Sequence, residues 1–202
     1  MYLYLKRLFD IIVGVLGLIV LIPITIVLKI AFLCSGDTGK LMFKQRRIGK
    51  DSKPFGIYKF RSMAQDADKQ LKELLKIEKY RKEWEENQKF EYDPRITKLG
   101  HYLRKTSIDE LPQMLNLIKG DMSLVGPRPL VPGELEKHGG IELYWKVKPG
   151  ITGWWASHGR SDIDYDERLQ MEYYYVENCS FWIDVVCIFK TISAVLKHKG
   201  AK

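Results

Sequence analysis

The chain has 202 residues, room for one sizeable domain. Its 33 Lys and Arg against 25 Asp and Glu leave a net charge of +8, so its partners are expected to be anionic: phosphorylated small molecules, a membrane surface or nucleic acid. Three cysteines, Cys34, Cys179 and Cys187, have no metal-ligand spacing and are too few for a disulfide framework, which fits a reducing compartment.

From Ile11 to Leu28 no residue is charged, and apolar character resumes over Ile30 to Cys34. A helix over the first stretch reaches about 27 Å, close to the thickness of a bilayer core. Pro23 removes one backbone hydrogen bond there and bends the helix without destroying it. Lys6 and Arg7 precede the segment; Lys29, Lys40, Lys44, Arg46 and Arg47 follow it. Basic residues at both ends favour a re-entrant helix, bent at Pro23, with both ends cytoplasmic. A single span with its short N-terminus outside is the alternative. No small-x-small pattern follows the run, which argues against a cleaved signal peptide. The reading divides the chain into a membrane-embedded helix over 1–34 and a cytoplasmic domain over 35–202.

Residues 40–63 read as short extended pieces, with GIYKF (56–60) the best strand. From Asp66 to Phe90, Leu71, Leu74, Leu75, Ile77, Tyr80 and Trp84 recur at helical spacing, so one amphipathic helix is expected. Asp93-Pro94 marks a turn before a helix over 96–105. Ser107 reads as the N-cap of a helix running to Lys119, stopped by Gly120. The Gly- and Pro-rich stretch 120–153 is expected to be mostly loop, with one short helix around Glu134. A helix over 166–175 follows, and Ser180 caps a last one over 181–197. That helix is apolar nearly all round, with Trp182, Ile183, Val186, Ile188 and Phe189, and Lys190, Lys197, His198, Lys199 and Lys202 crowd its later half. It is either core or membrane interface. The expected class is α+β, predominantly helical, with a minor sheet. No nucleic-acid-binding motif is recognisable, and an apolar membrane segment is a poor companion for one.

The segment RKTSIDELPQ (104–113) places Asp109 beside Glu110. Two readings fit it. In one, Ser107 and Glu110 form a capping box and Asp109 complements the helix dipole. In the other, the helix N-terminus keeps Asp109 ionised as a nucleophile while backbone N–H groups hold phosphate. Carboxylates beside phosphate need cations or a divalent metal. Lys59, Arg61, Arg104, Lys105, Arg128 and Arg160 are the candidates, with Arg128 presented by the proline-stiffened GDMSLVGPRPL (120–130). His158 reads as a loop stabiliser and takes no role.

Nearly the whole chain resembles the small monotopic phosphoglycosyl transferases of the bacterial sugar transferase family. KRLFDIIVGVLGLIVLIPI (6–24) resembles the family's membrane helix. FKQRRIGKDSKPFGIYKFRSM (43–63), DPRITKLGHYLRKTSIDELPQMLNLIKGDMSLVGPRP (93–129) and KPGITGW (148–154) resemble its core blocks. The resemblance implies a place on the bacterial inner membrane, with the catalytic domain on the cytoplasmic face. It implies that Asp109 attacks the β-phosphorus of a UDP-sugar, releases UMP, and passes the phosphosugar to a polyprenol phosphate. It also implies Mg²⁺ near Asp109 and Glu110, and phosphate-handling roles for Lys59, Arg104 and Arg128. The family's usual Ser before the membrane proline is Ile22 here. Trp155-Ala156 stands for the usual Ala-Gln, His158-Gly159-Arg160 for Asn-Gly-Arg, and Glu172 for Asp before Tyr174 and Tyr175. A catalytically silent membrane scaffold on the same fold is the competing expectation.

Overall fold

An apolar helix becomes part of a domain when one stripe of it finds a partner. The computed structural model describes residues 2–87, 90–137, 142–158 and 163–196. Helix α1 (Tyr2–Cys34) runs without interruption through Pro23. Among the described residues it is the one helix long and apolar enough to cross a membrane. Asp10, Gly14, Leu21, Leu28 and Phe32 are its buried residues, at spacings of four and seven that put them on one face. Leu16, Ile19, Ile22, Val27 and Ile30 lie exposed on the rest of the cylinder. Pro23 has no N–H for the Ile19 carbonyl. The Thr25 hydroxyl does not replace it, because it donates to the Leu21 carbonyl at 2.7 Å.

The buried stripe docks along the domain at both ends. Lys6 pairs with Asp184 at 2.5 Å, and Arg7 donates to the carbonyls of Leu117 and Ile118. Asp10 accepts from the Ser123 hydroxyl at 3.1 Å and the Leu124 N–H at 2.8 Å. A Cβ at Gly14 would stand 2.7 Å from Ile118 Cγ1, so the helix approaches this closely only with glycine there. At the other end Leu21, Leu28 and Phe32 form one cluster with Phe60 and Leu103. Helix α1 is thus part of the domain core as well as an apolar surface.

Strands β1 (Met42–Ile48) and β2 (Pro54–Phe60) make an antiparallel hairpin with Met42 opposite Phe60, and β2 contains the predicted strand. Asn116, fully buried, accepts from the Tyr58 N–H and donates to the Gly56 carbonyl, fixing β2 from the side. The single helix predicted over 66–90 is two, α2 (Ala67–Leu74) and α3 (Glu78–Asn87). Bonds from Lys76 to Glu73 and from Ile77 to Leu74 tighten the end of α2 into an i→i+3 turn. Phe90 then folds back against Tyr80 and Trp84.

Helix α4 (Lys98–Lys105) starts at Thr97, whose hydroxyl accepts from the Gly100 N–H at 2.9 Å. The helix predicted from Ser107 is instead a 3-10 turn (Ile108–Gln113) leading into α5 (Met114–Lys119). Ser107 is left-handed at φ 55°, and Pro112 inside the turn has no N–H to give an α-helical ladder. Gly120, at φ 84°, ends α5 as expected.

The stretch predicted as mostly loop holds a second sheet. Strands β3 (Ser123–Val125) and β4 (Gly150–Thr152) pair in parallel, with Ser123 opposite Gly150 and Val125 opposite Thr152. Helix α6 (Glu134–Lys137) is the short helix expected around Glu134. Helices α7 (Trp154–His158), α8 (Tyr165–Asn178) and α9 (Phe181–Leu196) complete the order. Asp164 caps α8 by accepting from the Glu167 N–H at 2.8 Å. Helix α9 is neither wholly core nor wholly surface. Asp184 and Cys187 are buried, whereas Phe181, Trp182, Phe189 and Ile192 are exposed. Lys197, His198, Lys199 and Lys202 lie outside the described residues. The architecture is mostly helical with two small sheets, as expected for an α+β chain.

Candidate active site

The 3-10 turn divides its side chains between α1 and open space. Ile108 and Leu111 pack on the cluster of Leu21, Leu28, Phe32, Phe60 and Leu103. Asp109, between them and 8% exposed, lines a cleft of about 800 Å³ on the other side. Lys59, Arg104, Glu110 and Arg128 line the same cleft. Tertiary structure therefore gathers five predicted site residues from β2, α4, the 3-10 turn and the loop after β3.

The neighbours do different work. Glu110 reaches across to Lys59, with Oε1 3.0 Å from Nζ. Arg104 donates from Nε to the Ser62 hydroxyl at 2.9 Å, which holds its guanidinium at the cleft wall. Asp109 has no side-chain hydrogen bond among the described residues. Burial, reinforced by the Glu110 charge, pushes its carboxyl up to about 6, against the opposing pull of Lys59 and Arg104.

Both sequence readings of this segment need correcting. No capping box forms, because left-handed Ser107 makes no side-chain cap bond and Glu110 is committed to Lys59. Nor does a helix dipole depress Asp109; a short 3-10 turn supplies little dipole, and desolvation wins. Asp109 is raised rather than lowered and is still mostly ionised at neutral pH.

Arg128 is presented from a clamped peptide. Its N–H donates to Glu172 Oε1 at 3.1 Å and its carbonyl accepts from the Tyr144 hydroxyl at 2.6 Å. The exposed guanidinium lies over the Trp155 ring, 5.6 Å from its centroid. Arg61 does not line the cleft. It donates to the Lys40 and Met63 carbonyls, pairs with Asp37 at 2.8 Å and lies over the Phe32 ring, joining the hairpin to the end of α1. Lys105 is exposed away from the cleft, and Arg160 lies outside the described residues. His158 ends helix α7 rather than sitting in a loop, with its ring stacked on Trp154 at 3.9 Å and Nδ1 2.8 Å from the Trp154 carbonyl, and it does not line the cleft.

Sequence reasoning missed Arg47, which lines the cleft and whose guanidinium burial pushes down. It counted only as a topological charge, although its place on β1 facing β2 was the available signal. Trp155 and Glu172 were noticed as departures, with no means of seeing that both line this cleft.

Among the described residues no group of three or more His, Cys, Asp or Glu side chains forms a metal cage. Two adjacent carboxylates, one of them without a cation partner, still suit a divalent ion shared with substrate phosphates, as Mg²⁺ commonly is.

Comparisons with known proteins show the family of the chain. The family model described as bacterial sugar transferase matches residues 1–198. A UDP-galactose-lipid carrier transferase of Erwinia amylovora is 45% identical over 200 residues, covering 98% of this chain and 42% of that protein. An undecaprenyl-phosphate galactose phosphotransferase of Salmonella typhimurium gives the same identity and coverage. The exopolysaccharide production protein ExoY of Sinorhizobium fredii is 41% identical, with 97% of this chain and 87% of that protein covered. The chain thus spans about two fifths of the length of the first two relatives and most of the third. With the family model matching from the apolar helix through α9, the chain belongs to the bacterial sugar transferase family.

Proposed function

We propose that this chain is a phosphoglycosyl transferase, which moves a phosphosugar from a UDP-sugar to a polyprenol phosphate such as undecaprenyl phosphate. The observation that carries the reading is Asp109: a cleft carboxylate with no side-chain partner, whose acidic neighbour is held off by Lys59. Asp109 attacks the β-phosphorus, the bond to the UMP oxygen breaks, and UMP leaves. The phosphosugar remains on the Asp109 carboxylate as an acyl phosphate. The acceptor's phosphate oxygen then attacks the same phosphorus, giving a polyprenyl diphosphosugar and free Asp109. Lys59, Arg104 and Arg128, with Arg47 beside them, balance the phosphate charge on the cleft wall. Asp109 and Glu110 are the residues that would hold Mg²⁺, and the ion would supply positive charge for phosphate oxygens. Glu110 keeps Lys59 aimed inward through their ion pair.

The contacts of α1 with the domain support one membrane arrangement. Lys6, Arg7 and Asp10 hold one end and Phe32 the other, on a single body. A helix crossing the bilayer would carry one end away from the domain and break the contacts there, which favours a re-entrant helix, and the basic residues at both ends of the apolar run favour the cytoplasmic face of the inner membrane. The exposed face of α1 and the Phe181, Trp182, Phe189 and Ile192 face of α9 are large apolar surfaces that lipid would cover. The turn bearing Asp109 rests directly on α1, which suits an acceptor whose phosphate lies at the headgroup layer.

A silent scaffold has less support, because the cleft keeps both carboxylates and its cations. The test is intact-mass spectrometry of the solubilised protein with Mg²⁺ and a UDP-sugar panel, following UMP in parallel. A phosphosugar mass gain is expected with wild type, and none with Asp109→Asn, whose UMP release should fall at least about a thousandfold. An adduct that persists in Asp109→Asn would place the nucleophile elsewhere. If no donor gives UMP with or without polyprenol phosphate, the transferase reading fails.

A further inference from the structure

The floor of the cleft holds a polar group that the proposed chemistry does not use. Glu172, on α8, is 1% exposed and lines the cleft. Its Oε1 accepts the Arg128 N–H, but its Oε2 is buried with no hydrogen-bond partner among the described residues. Buried carboxyl oxygens are rarely left so. Neither nearby arginine bonds it: Arg168 pairs with Glu134 through Nη2 at 2.9 Å while its own Nε is buried without a hydrogen bond, and the Arg128 guanidinium lies over Trp155. Gly153 is held to glycine by the Gly126 carbonyl, 2.1 Å from where its Cβ would stand, and it passes Oε2 at no more than ordinary contact distance. Trp155 Nε1, on the same cleft, is likewise buried without a partner.

A buried carboxyl with no cation bonded to it favours its neutral form, and burial pushes Glu172 up to about 7 against the pull of the Arg168 and Arg128 charges. In that form Oε1 still accepts from Arg128 while the Oε2 hydroxyl has a proton to give. We propose that Glu172 is a substrate-contacting residue that donates a hydrogen bond from Oε2 to an acceptor oxygen of the bound UDP-sugar, a uracil carbonyl or a sugar hydroxyl, while its other oxygen holds the Arg128 loop. The inference rests on the UDP-sugar reading and goes beyond it by tying donor recognition to the loop that carries a phosphate-binding arginine.

Glutamine mimics the neutral acid, with an acceptor for Arg128 and an N–H for the ligand, whereas leucine does neither. The experiment measures equilibrium binding of UMP, UDP-galactose, UDP-glucose and UDP-N-acetylgalactosamine to the full chain in detergent. Wild type, Glu172→Gln, Glu172→Leu and Tyr144→Phe are compared, each checked by thermal melting. Tyr144→Phe loosens the other side of the Arg128 peptide without touching Oε2, and it should weaken binding by no more than about threefold. Glu172→Leu is expected to bind at least about tenfold more weakly than Glu172→Gln. A loss already present with UMP assigns the contact to the nucleotide; a loss confined to the UDP-sugars assigns it to the sugar. Equal binding by the Gln and Leu variants overturns the proposal, whether both match wild type or both fall, the latter meaning an ionised acceptor. Equal losses in Tyr144→Phe and Glu172→Leu assign the effect to the loop and overturn the direct contact. A wild-type chain that binds neither UMP nor any UDP-sugar overturns the transferase reading itself, a different result from variants that fail to separate.

Discussion

Burial lifts the Glu172 carboxyl to about 7 and the Asp109 carboxyl to about 6, so the folded chain keeps both protons at pH values where an unfolded chain has lost them. Stability must then fall as pH rises from the unfolded carboxylate range toward those values, because the folded state binds more protons there. For Glu172 the window runs from 4.5 up to about 7, with Arg128 and Arg168 opposing the shift and the buried Tyr144 hydroxyl nearby. Its full contribution is at most about 3 kcal/mol. Glu172→Gln, which never ionises, should therefore gain stability over wild type at pH 8 and little or none at pH 5. Urea unfolding of the solubilised protein at the two pH values measures this, and parallel curves for the two proteins would contradict it. At the same scale the Asp109-Glu110 pair was legible as a pair, but not how its members differ. Only the fold sends Glu110 to Lys59 and leaves Asp109 to the cleft.

Among the elements, α4 carries the least forgiving contact. Gly100 sits inside the helix, where alanine ordinarily stabilises by about 1 kcal/mol. Here a Cβ would overlap the backbone carbonyl of Ser62, the residue that also bonds Thr97 and Arg104. The sign should reverse: Gly100→Ala is expected to cost about 2 kcal/mol or more and to slow UMP release by displacing Arg104. Thermal melting and initial rates test it together, and a raised melting temperature would show that α4 is not seated as described. The helices were largely legible because their apolar spacing and their ends are local signals. β3 and β4 were not, since three-residue strands flanked by Gly and Pro carry no alternation and pair across 25 residues or more. The break between α2 and α3 was missed because Leu75 and Ile77 sustain the apolar rhythm through it.

For the whole molecule, the contacts at both ends of α1 make the proposed re-entrant arrangement testable. Cys34 is an exposed native thiol at one end of the helix, and Tyr4, 83% exposed, stands near the other. With Tyr4→Cys introduced, a membrane-impermeant maleimide should label both positions in inside-out vesicles and neither on intact cells. Labelling of residue 4 from outside intact cells would establish a single span and break the clamp of Lys6 on Asp184.

Composition and periodicity by themselves determined the long apolar N-terminal helix, the basic and mostly helical chain, and the acidic pair with its pool of candidate cations. Those properties are local, written in the spacing of residue types along the chain. Only the tertiary structure decided which cations face the cleft, that Arg61 serves the hairpin instead, and that the turn bearing Asp109 rests on α1. It also decided that the carboxyl of Glu172 lies buried beneath Arg128 with one oxygen unanswered. Convergence and desolvation depend on residues far apart in sequence, and no spacing within one segment encodes them.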